Sequence, residues 1–291
     1  MSPGADRRPG PTVRVRVEEH LPERVSRHED RVITEEPLEI RLAWPGAPAH
    51  RVWVTMRTPG HDFELAAGWM VHEGVAGPGH LSPSGTAAIS GVAYCTDATL
   101  TPEQEFNVVT VTLDAVPVHP PGARHDAASA GSSACGVCGA DSIEAVLGRH
   151  PGAEGSTSAS DRGGELDGAF VRSLPDLLRP HQPLFDRTGG VHAAALVTLD
   201  GEVLVVREDV GRHNAVDKVT GARVLAAEPT AGTVLVVSGR AGFELVQKAI
   251  AAGTRALVAV GAPTSLSVRL ARESGLGLYG FARADRVVRY C

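Results

Sequence analysis

A pair of cysteines separated by two residues is the feature of this sequence best suited to chemistry. Cys135 and Cys138 stand within residues 132–139, among glycines and small polar residues. Residues 141–147 follow with a pattern that predicts the start of a helix. A helix N-terminus offers unpaired N–H groups and a positive dipole end, and both favour the reactive thiolate of a nearby cysteine. The spacing therefore predicts an exposed, activated cysteine pair.

Three other uses of such a pair remain open from spacing alone: a structural disulfide, half of a zinc site, or a thioredoxin-like redox couple. A structural zinc site usually takes four ligands, and the remaining cysteines, Cys95 and Cys291, are isolated. A thioredoxin motif is expected directly after a buried strand. Here a stretch rich in Pro, Gly, Ala and Ser, residues 115–134, precedes the pair, which weakens that interpretation.

Composition limits the class of protein. The chain has 291 residues, 43% of them hydrophobic, which is enough for one large domain or two smaller ones. Its net charge of −6 argues against nucleic acid as a partner. There is no N-terminal signal-like segment and no apolar run of membrane-spanning length, and four cysteines do not form a disulfide scaffold. We expect a cytoplasmic protein with reduced thiols and no membrane partner.

Hydrophobic patterning divides the chain into two domains with irregular segments around them. We expect a disordered tail over residues 1–12 and a smaller α+β domain over residues 13–114. A mobile loop over residues 115–134 then leads to the cysteine pair. Residues 135–291 are predicted to form an α/β domain with a flexible, low-complexity insertion at residues 148–168.

The elements expected in these domains follow from their periods. Apolar residues that alternate with polar ones predict strands, and apolar residues at helical spacing predict a helix over residues 62–72. His61 precedes this helix and His72 ends it, and we interpret both as surface or helix-end residues. Strands apolar on both faces alternate with helices in the second domain, which predicts a partly parallel sheet covered by helices. Strands are predicted at residues 13–17, 38–42, 51–57, 89–94, 106–113, 193–198, 203–206, 233–237, 256–260, 276–282 and 286–290, and further helices at residues 213–226, 243–251 and 266–272.

Three loops of the second domain are placed to hold a ligand. Residues 207–214, 238–242 and 261–265 each follow a predicted strand, and ligands of such sheets bind at the carboxyl ends of the strands. Any one loop is explained by a turn and a helix cap, but together they favour an anionic, phosphate-bearing ligand. The weaker candidates for contact with it are Arg212, His213, Ser238, Gly239 and Arg240.

Two further observations concern charge. His213 and Asp217 are four residues apart on a predicted helix, a spacing that could serve a metal, although their charged neighbours favour ion pairs or a helix cap. The only lysines are Lys218 and Lys248, and we attribute the excess of arginine mainly to codon bias.

Five motifs in fixed order carry a resemblance to a known family. They are SSACGVCG at residues 132–139, TGGVH at 188–192, EDVGRHNAVDK at 208–218, SGR at 238–240 and GFAR at 280–283. From about residue 30 to its end the sequence resembles the FdhD family of formate dehydrogenase accessory sulfurtransferases. The resemblance implies a cytidine-deaminase-like, three-layer α/β/α fold for the second domain and a homodimer.

The resemblance also implies a function. Such proteins accept sulfur from a cysteine desulfurase as a persulfide. They pass it to the molybdenum cofactor in its bis(molybdopterin guanine dinucleotide) form, Mo-bis-MGD, before the cofactor enters formate dehydrogenase. Cys135 matches the persulfide-bearing cysteine, and Cys138 matches a partner that relays or resolves the sulfur. The cofactor-binding segment falls on Phe281, Ala282, Arg283, Ala284, Asp285 and Arg286.

Rival functions remain. A nucleoside deaminase would need a His-x-Glu or Cys-x-Glu element upstream of Cys135, and the sequence has none, so we expect no bound metal. A chaperone that binds the cofactor without sulfur chemistry is one alternative. A thiol–disulfide oxidoreductase is another.

Overall fold

Three β-sheets and the helices between them make up the part of the chain that the structure describes. This computed structural model describes residues 10–77, 87–96, 100–101, 104–118, 120–121 and 165–291. Cys135, Cys138 and the helix predicted at residues 141–147 lie outside these ranges. The sheets have two, four and six strands.

The first half of the chain forms the two smaller sheets around one helix, α1. Its elements are β1 (Thr12–Leu21), β2 (Arg24–Ile33), β3 (Glu36–Trp44), β4 (Ala47–Arg57), α1 (Asp62–His72), β5 (Ile89–Tyr94) and β6 (Val108–Leu113). Strands β3 and β4, predicted at residues 38–42 and 51–57, form an antiparallel hairpin with Gly46 at a positive φ of 88° in its turn. The four-stranded sheet has the order β4-β3-β6-β5. Leu38, Ile40 and Leu42 alternate along β3 and are fully buried, which confirms the period-two prediction there.

Strand β2 was not predicted. It pairs with β1 over ten residues of each strand, but eight of its ten residues are exposed, and five of these are charged. The pairing is supported across the strands by contacts such as the one between Arg27 and Glu18. A strand exposed on both faces has no apolar alternation from which it could be predicted.

The second half forms a six-stranded sheet with helices on both faces. Its elements are α2 (Gly168–Leu178), α3 (Pro183–Thr188), β7 (His192–Val197), β8 (Val203–Asp209), α4 (Arg212–Leu225), β9 (Val234–Val237), α5 (Phe243–Ala251), β10 (Ala256–Ala259), α6 (Ser265–Ser274), β11 (Gly277–Arg283) and β12 (Arg286–Arg289). The sheet order is β12-β11-β10-β9-β7-β8, with β9, β10 and β11 parallel and the remaining pairs antiparallel.

The layering of this half follows from its two hydrophobic clusters. One cluster joins β9 and β10 to apolar residues of α4, α5 and α6, and the other joins the opposite face of the sheet to α2. All residues of β9 and β10 are buried, as expected for strands covered on both sides. The prediction of a mixed α/β class with a partly parallel, helix-covered sheet is confirmed. The likeness to cytidine deaminases stays a prediction.

Residues 165–168, the end of the predicted insertion, pack onto this half. Leu166 is buried, and its N–H donates to the hydroxyl of Tyr279 at 3.0 Å. The Asp167 carboxylate caps α2 by accepting from the N–H of Phe170 at 2.9 Å. Because residues 122–164 lie outside the described ranges, the predicted limits of the domains stay predictions.

Helix α1 joins the two halves. It lies between the four-stranded sheet and α4, and nine of its eleven residues are buried. Glu64 of α1 forms a two-pronged ion pair with Arg207 of β8, at 2.6 and 2.8 Å. Burial opposes ionisation of Glu64, but the hydrogen bonds from Arg207 and His61 outweigh it and lower the pKa from 4.5 to about 2. Helices α1 and α4 therefore hold the strand-bearing layers in one arrangement.

The last residue of α1, His72, is part of a buried polar cluster. Its Nδ1 lies 2.5 Å from Asp217 of α4, and its Nε2 lies 3.1 Å from the hydroxyl of Thr220. Lys248 of α5 donates to the same oxygen of Asp217 at 2.6 Å. The prediction placed His72 at a helix end, which is confirmed, but the alternative of a surface histidine is wrong because its side chain is fully buried.

This cluster predicts that stability falls in mild acid. Burial lowers the pKa of His72, and the charge of Lys248 adds to this against the raising effect of Asp217. The folded protein therefore keeps His72 neutral, while the unfolded chain takes up a proton below about pH 6.5. The free energy of unfolding, measured in urea, should fall by up to ~1.4 kcal/mol per pH unit as the pH drops below that value.

The variant His72→Asn isolates this effect, because its amide can still donate to Asp217 but does not titrate. Below about pH 6.5 this variant should take up about one proton fewer on unfolding than the unmodified chain, so its unfolding free energy should change less with pH. His20→Asn, on the exposed face of β1, is the matched control and should keep the original slope. Equal slopes for His72→Asn and the unmodified chain would contradict the assignment.

None of the helices in the described ranges is both long enough and apolar enough to cross a membrane.

Candidate functional site

One edge of the six-stranded sheet gathers the loops that the sequence analysis selected. Strands β8, β9, β10 and β11 all end at this edge, and β7 begins there, with His192 in register with Asp209. We call this edge the strand-end rim and define it as residues 209–213, 238–242, 261–265 and 281–286, together with His192. Such an edge is where ligands of α/β sheets bind.

Backbone hydrogen bonds tie the segments of the rim together. The N–H of Gly261 donates to the carbonyl of Gly239 at 2.9 Å, and the N–H of Ala241 donates to the carbonyl of Ala262 at 3.1 Å. The N–H of Phe281 donates to the carbonyl of Gly261 at 3.1 Å. These bonds join two of the predicted loops to the segment Phe281–Arg286, and the third loop adjoins them, since a Cβ built on Gly239 would lie 3.8 Å from Cδ of Arg212. Their role in binding stays a prediction.

Three helices begin on this surface. Helix α4 starts after Gly211, α5 after Gly242, and α6 after Thr264. Thr264 and Ser267 form a capping box at the start of α6, but α4 and α5 have no side-chain cap. The first-turn N–H groups of α4 and α5 therefore face the rim without a side-chain acceptor. Their dipoles add positive potential at the same place.

The arginines of the rim strengthen this potential. Arg212 is half-buried, whereas Arg240, Arg283 and Arg286 are exposed. In the part of the chain that the structure describes, none of these guanidinium groups lies within 4.0 Å of a carboxylate. Some arginines elsewhere, such as Arg207 with Glu64, form ion pairs with carboxylates. In a protein of net charge −6, four arginines on one edge with no carboxylate of the described residues within 4.0 Å favour a polyanion there.

The backbone at Phe281 is strained. Phe281 has a positive φ of 53°, which a residue other than glycine rarely adopts, and β11 is irregular between Gly280 and Arg283. The irregularity turns the partly buried ring of Phe281 beneath the guanidinium of Arg286, 5.0 Å from the ring centre. Strain of this kind costs about 1–3 kcal/mol and often marks a binding site. The segment Phe281–Arg286 is therefore held in a fixed, unusual shape at the rim.

Asp209, at the end of β8, positions the start of α4. Its Oδ1 accepts from the N–H of Gly211 at 2.8 Å and from the amide of Asn214 at 3.1 Å. Its Oδ2 accepts from the N–H of Thr58 at 3.1 Å and pairs with the ammonium of Lys218 at 2.6 Å. All acceptor positions of this buried carboxylate are therefore used to fix the turn that presents Arg212 and His213.

Sequence reasoning missed this support because its partners are about 150 residues apart. Lys218 also donates to the carbonyl of Thr58, and Asn214 donates to the carbonyl of Met56 at 2.7 Å. The rim is thus held by the first half of the chain. One signal was present in the sequence: the only two lysines, Lys218 and Lys248, are both paired with buried aspartates. The compact ammonium of lysine suits such closed sites.

The structure decides the alternatives for His213 and Asp217. His213 Nε2 lies 2.8 Å from Glu244 of α5, whereas Asp217 contacts His72 of α1 and Lys248 of α5. The two side chains serve separate ion pairs, as the sequence analysis favoured. Among the residues that the structure describes, no group of three or more His, Cys, Asp or Glu is placed to hold a metal.

The two described cysteines differ from the predicted reactive pair. Cys95 is half-buried, and its sulfur accepts from Arg41 at 3.6 Å. Cys291 is also half-buried; burial raises the pKa of its thiol, and its Sγ donates to the carbonyl of Leu276. A raised pKa leaves less thiolate at neutral pH, so Cys291 is a poor nucleophile. The activation of Cys135 lies outside the described residues and stays a prediction.

Fold and rim together define an α/β protein with a preorganised, anion-suited strand-end site. A sequence profile of the FdhD/NarQ family matches residues 33–291, and the chain belongs to this family. It is 46% identical over 260 residues to the sulfur carrier protein FdhD of Streptomyces avermitilis, covering 89% of this chain and 86% of that protein. It is 45% identical over 275 residues to the protein of the same name from Mycobacterium tuberculosis, covering 90% and 92%.

A solved structure has the same fold. The crystal structure of a candidate formate dehydrogenase accessory protein from Desulfotalea psychrophila matches with a TM-score of 0.69, covering 96% of this chain and 97% of that one. The sequences are 22% identical, so this likeness supports the fold alone.

Proposed function

We propose that this chain is a sulfur carrier that serves formate dehydrogenase. It takes persulfide sulfur from a cysteine desulfurase on Cys135 and transfers it to Mo-bis-MGD before that cofactor enters the enzyme. The observation that carries the proposal is membership of the FdhD/NarQ family together with relatives above 40% identity that are named sulfur carrier proteins.

The rim supplies the binding half of this proposal. Mo-bis-MGD carries pyrophosphate groups, which match unpaired arginines and helix N-termini. Arg283 and Arg286 flank the strained turn at Phe281, and Arg212 and Arg240 lie on the neighbouring loops. These side chains hold the phosphates and place the guanine end of the substrate, while Ser238 and Gly239 line the loop between them.

The sulfur chemistry balances with the two cysteines of the pair. The Cys135 thiolate attacks the outer sulfur of the donor persulfide, and the donor's cysteine leaves as a thiolate. Cys135 then carries the outer sulfur as a persulfide. Attack of the Cys138 thiolate on Cys135 Sγ breaks the S–S bond and releases hydrosulfide to the bound substrate. The resulting Cys135–Cys138 disulfide is reduced by a cellular dithiol before the next transfer.

The assembly and location belong to the same proposal. We infer a homodimer acting in the cytoplasm, where reduced thiols are maintained. Light scattering on the purified chain at micromolar concentration should give twice the monomer mass of 30.3 kDa. A monomer mass under these conditions would remove the dimer from the proposal without affecting the sulfur chemistry.

Complementation tests the function as a whole. A bacterial strain that lacks its own member of this family should regain formate dehydrogenase activity when it expresses this chain. The control is the chain in which alanine replaces both Cys135 and Cys138. If this variant restores the same activity, a chaperone without sulfur chemistry is favoured. No activity, with the chain soluble and the client enzyme present, would count against the proposed role.

Binding at the rim is expected to depend on its arginines. Diguanosine 5′-diphosphate, a guanine dinucleotide with a pyrophosphate diester, serves as the probe in calorimetry. Arg283→Gln and Arg286→Gln should each weaken binding about tenfold to a hundredfold, since a hydrogen bond to a charged group contributes ~1.5–3 kcal/mol. Arg16→Gln, an exposed arginine on β1, is the matched control and should not change the affinity. Equal affinities for all of these variants would place the site elsewhere.

A further inference from the structure

His192 stands at the centre of the strand-end rim and has no assigned role. It is the first residue of β7, beside the end of β8. The backbone on either side of it is fixed, since the N–H of Ala193 donates to the Ser238 hydroxyl and the Ser238 N–H donates to the Ala193 carbonyl. Its half-buried ring has no hydrogen-bond partner among the residues that the structure describes.

The ring faces a space that a glycine keeps open. A Cβ built on Gly239 would lie 3.4 Å from Nδ1 and 3.6 Å from Cε1 of His192, and 3.8 Å from Cδ of Arg212. The imidazole and the arginine stem therefore border the same small volume above Gly239. Because Gly239 has no side chain, both groups stay accessible from the rim.

Charged side chains from the two neighbouring elements, α4 and β8, surround the ring of His192. Arg212 and His213 come from the start of α4, and Asp209 comes from the end of β8. Burial lowers the pKa of His192, and the positive charges of Arg212 and His213 lower it further against the attraction of Asp209. Without an anion on the rim, the imidazole is therefore neutral at pH 7.

We propose that the imidazole of His192 contacts the anion bound at the strand-end rim, in the space above Gly239, and that it takes up a proton when the anion binds. This inference rests on the proposed function only in assuming that the rim binds an anion. It adds a binding residue and a pH dependence to that site.

Proton uptake by His192 follows from the change in charge beside its ring when the anion binds. When no anion is bound, the positive charge of the Arg212 guanidinium disfavours a second positive charge on the imidazole of His192. A bound pyrophosphate offsets that guanidinium and places negative charge beside the imidazole, so that protonation becomes favourable. By linkage, the same free energy makes the anion bind more tightly at a pH where His192 is already protonated.

The other titrating groups nearby do not supply this effect. The imidazole of His213 is already paired with Glu244 at 2.8 Å. Asp209 is held by Lys218 and by the N–H groups of Thr58 and Gly211. Of the two histidines of the rim, His192 is the one without a hydrogen-bond partner among the described residues.

The experiment measures the affinity of diguanosine 5′-diphosphate at about pH 8 and about pH 5.5, between which the probe's own charge stays fixed while a histidine titrates. The unmodified chain should bind at least about threefold more tightly at the lower pH, since an opposite charge at contact raises a pKa by about one unit or more and the free imidazole is only partly protonated there. His192→Gln should lose this pH dependence. The exposed-hairpin variant His20→Gln should keep it, and circular dichroism confirms the fold at each pH.

A second measurement does not depend on how well the variant folds. Calorimetry of the unmodified chain at about pH 6.5, in two buffers of different ionisation enthalpy, gives the protons taken up per bound probe. Net uptake on binding supports the inference. No uptake, or a pH dependence unchanged in folded His192→Gln, overturns it and leaves the proposed function standing. Absence of probe binding at both pH values overturns the rim as the binding site, and the inference with it.

Discussion

A chain carrying Cys135→Ala is expected to accept no persulfide sulfur and to leave formate dehydrogenase inactive. The attacking group in the proposed transfer is the Cys135 thiolate, and alanine has no sulfur to replace it. The loss should therefore be complete in both assays, the labelling of the purified protein with ³⁵S from cysteine and the activity of the client enzyme in cells. No other variant of this chain that folds should have an effect of this size.

Three cysteine controls make this prediction specific. Cys138→Ala should still accept sulfur but impair its release, because release proceeds through the second thiolate. Cys95→Ala and Cys291→Ala should leave both steps intact, since Cys95 is half-buried beside Arg41 and the pKa of Cys291 is raised by burial. Client activity that survives in Cys135→Ala would refute sulfur carriage on this residue and favour a chaperone role.

The second large effect concerns the contact between α1 and α4. A Cβ built on Gly68 would lie 1.9 Å from the carbonyl oxygen of Asp217, and one on Gly221 would lie 1.8 Å from that of Glu64. No flexible side chain is present to move aside, because the obstacles are backbone atoms of the opposite helix. Either substitution to alanine should therefore force the helices apart and cost about 3 kcal/mol or more.

Urea denaturation measures this cost. A loss of this size is a large part of the ~5–15 kcal/mol that stabilises a typical domain, so both variants should unfold at much lower urea or fail to accumulate in soluble form. Gly91→Ala is the matched control, because among the described residues no atom beyond its chain neighbours lies within 4 Å of its added Cβ. Unfolding free energies within about 0.5 kcal/mol of the unmodified chain for Gly68→Ala and Gly221→Ala would contradict the close contact.

The sequence predicted those helices and strands in which burial of one or both faces gives the apolar residues a regular spacing. Helix α1 has its predicted ends, Asp62 and His72, and β9 and β10 appear where apolar runs of strand length occur. Residues 169–190 received no element, although Val171, Leu174 and Leu178 of α2 show helical spacing on one face. An internal proline, Pro175, obscured this pattern.

The position of the candidate loops was predicted because chain connectivity places them at one edge of the sheet. A loop that joins a strand to the following helix lies at the carboxyl edge of the sheet. We therefore expected the loops at residues 207–214, 238–242 and 261–265 to lie side by side. Their support could not be predicted in the same way. Asp209 meets Thr58 across the α1–α4 contact, and two glycines, Gly68 and Gly221, allow that approach. Such pairings depend on tertiary packing and leave no local pattern in the sequence.

The central claim is that this chain carries sulfur on Cys135, and the intact mass of the protein tests it most directly. The purified chain would be incubated with a cysteine desulfurase and cysteine, weighed by mass spectrometry, and weighed again after treatment with a reductant. We expect a gain of one sulfur atom that the reductant removes and that Cys135→Ala does not show. No gain, with the desulfurase shown to be active on a second acceptor, would contradict sulfur carriage and leave a cofactor chaperone or a thiol–disulfide oxidoreductase as the function to test.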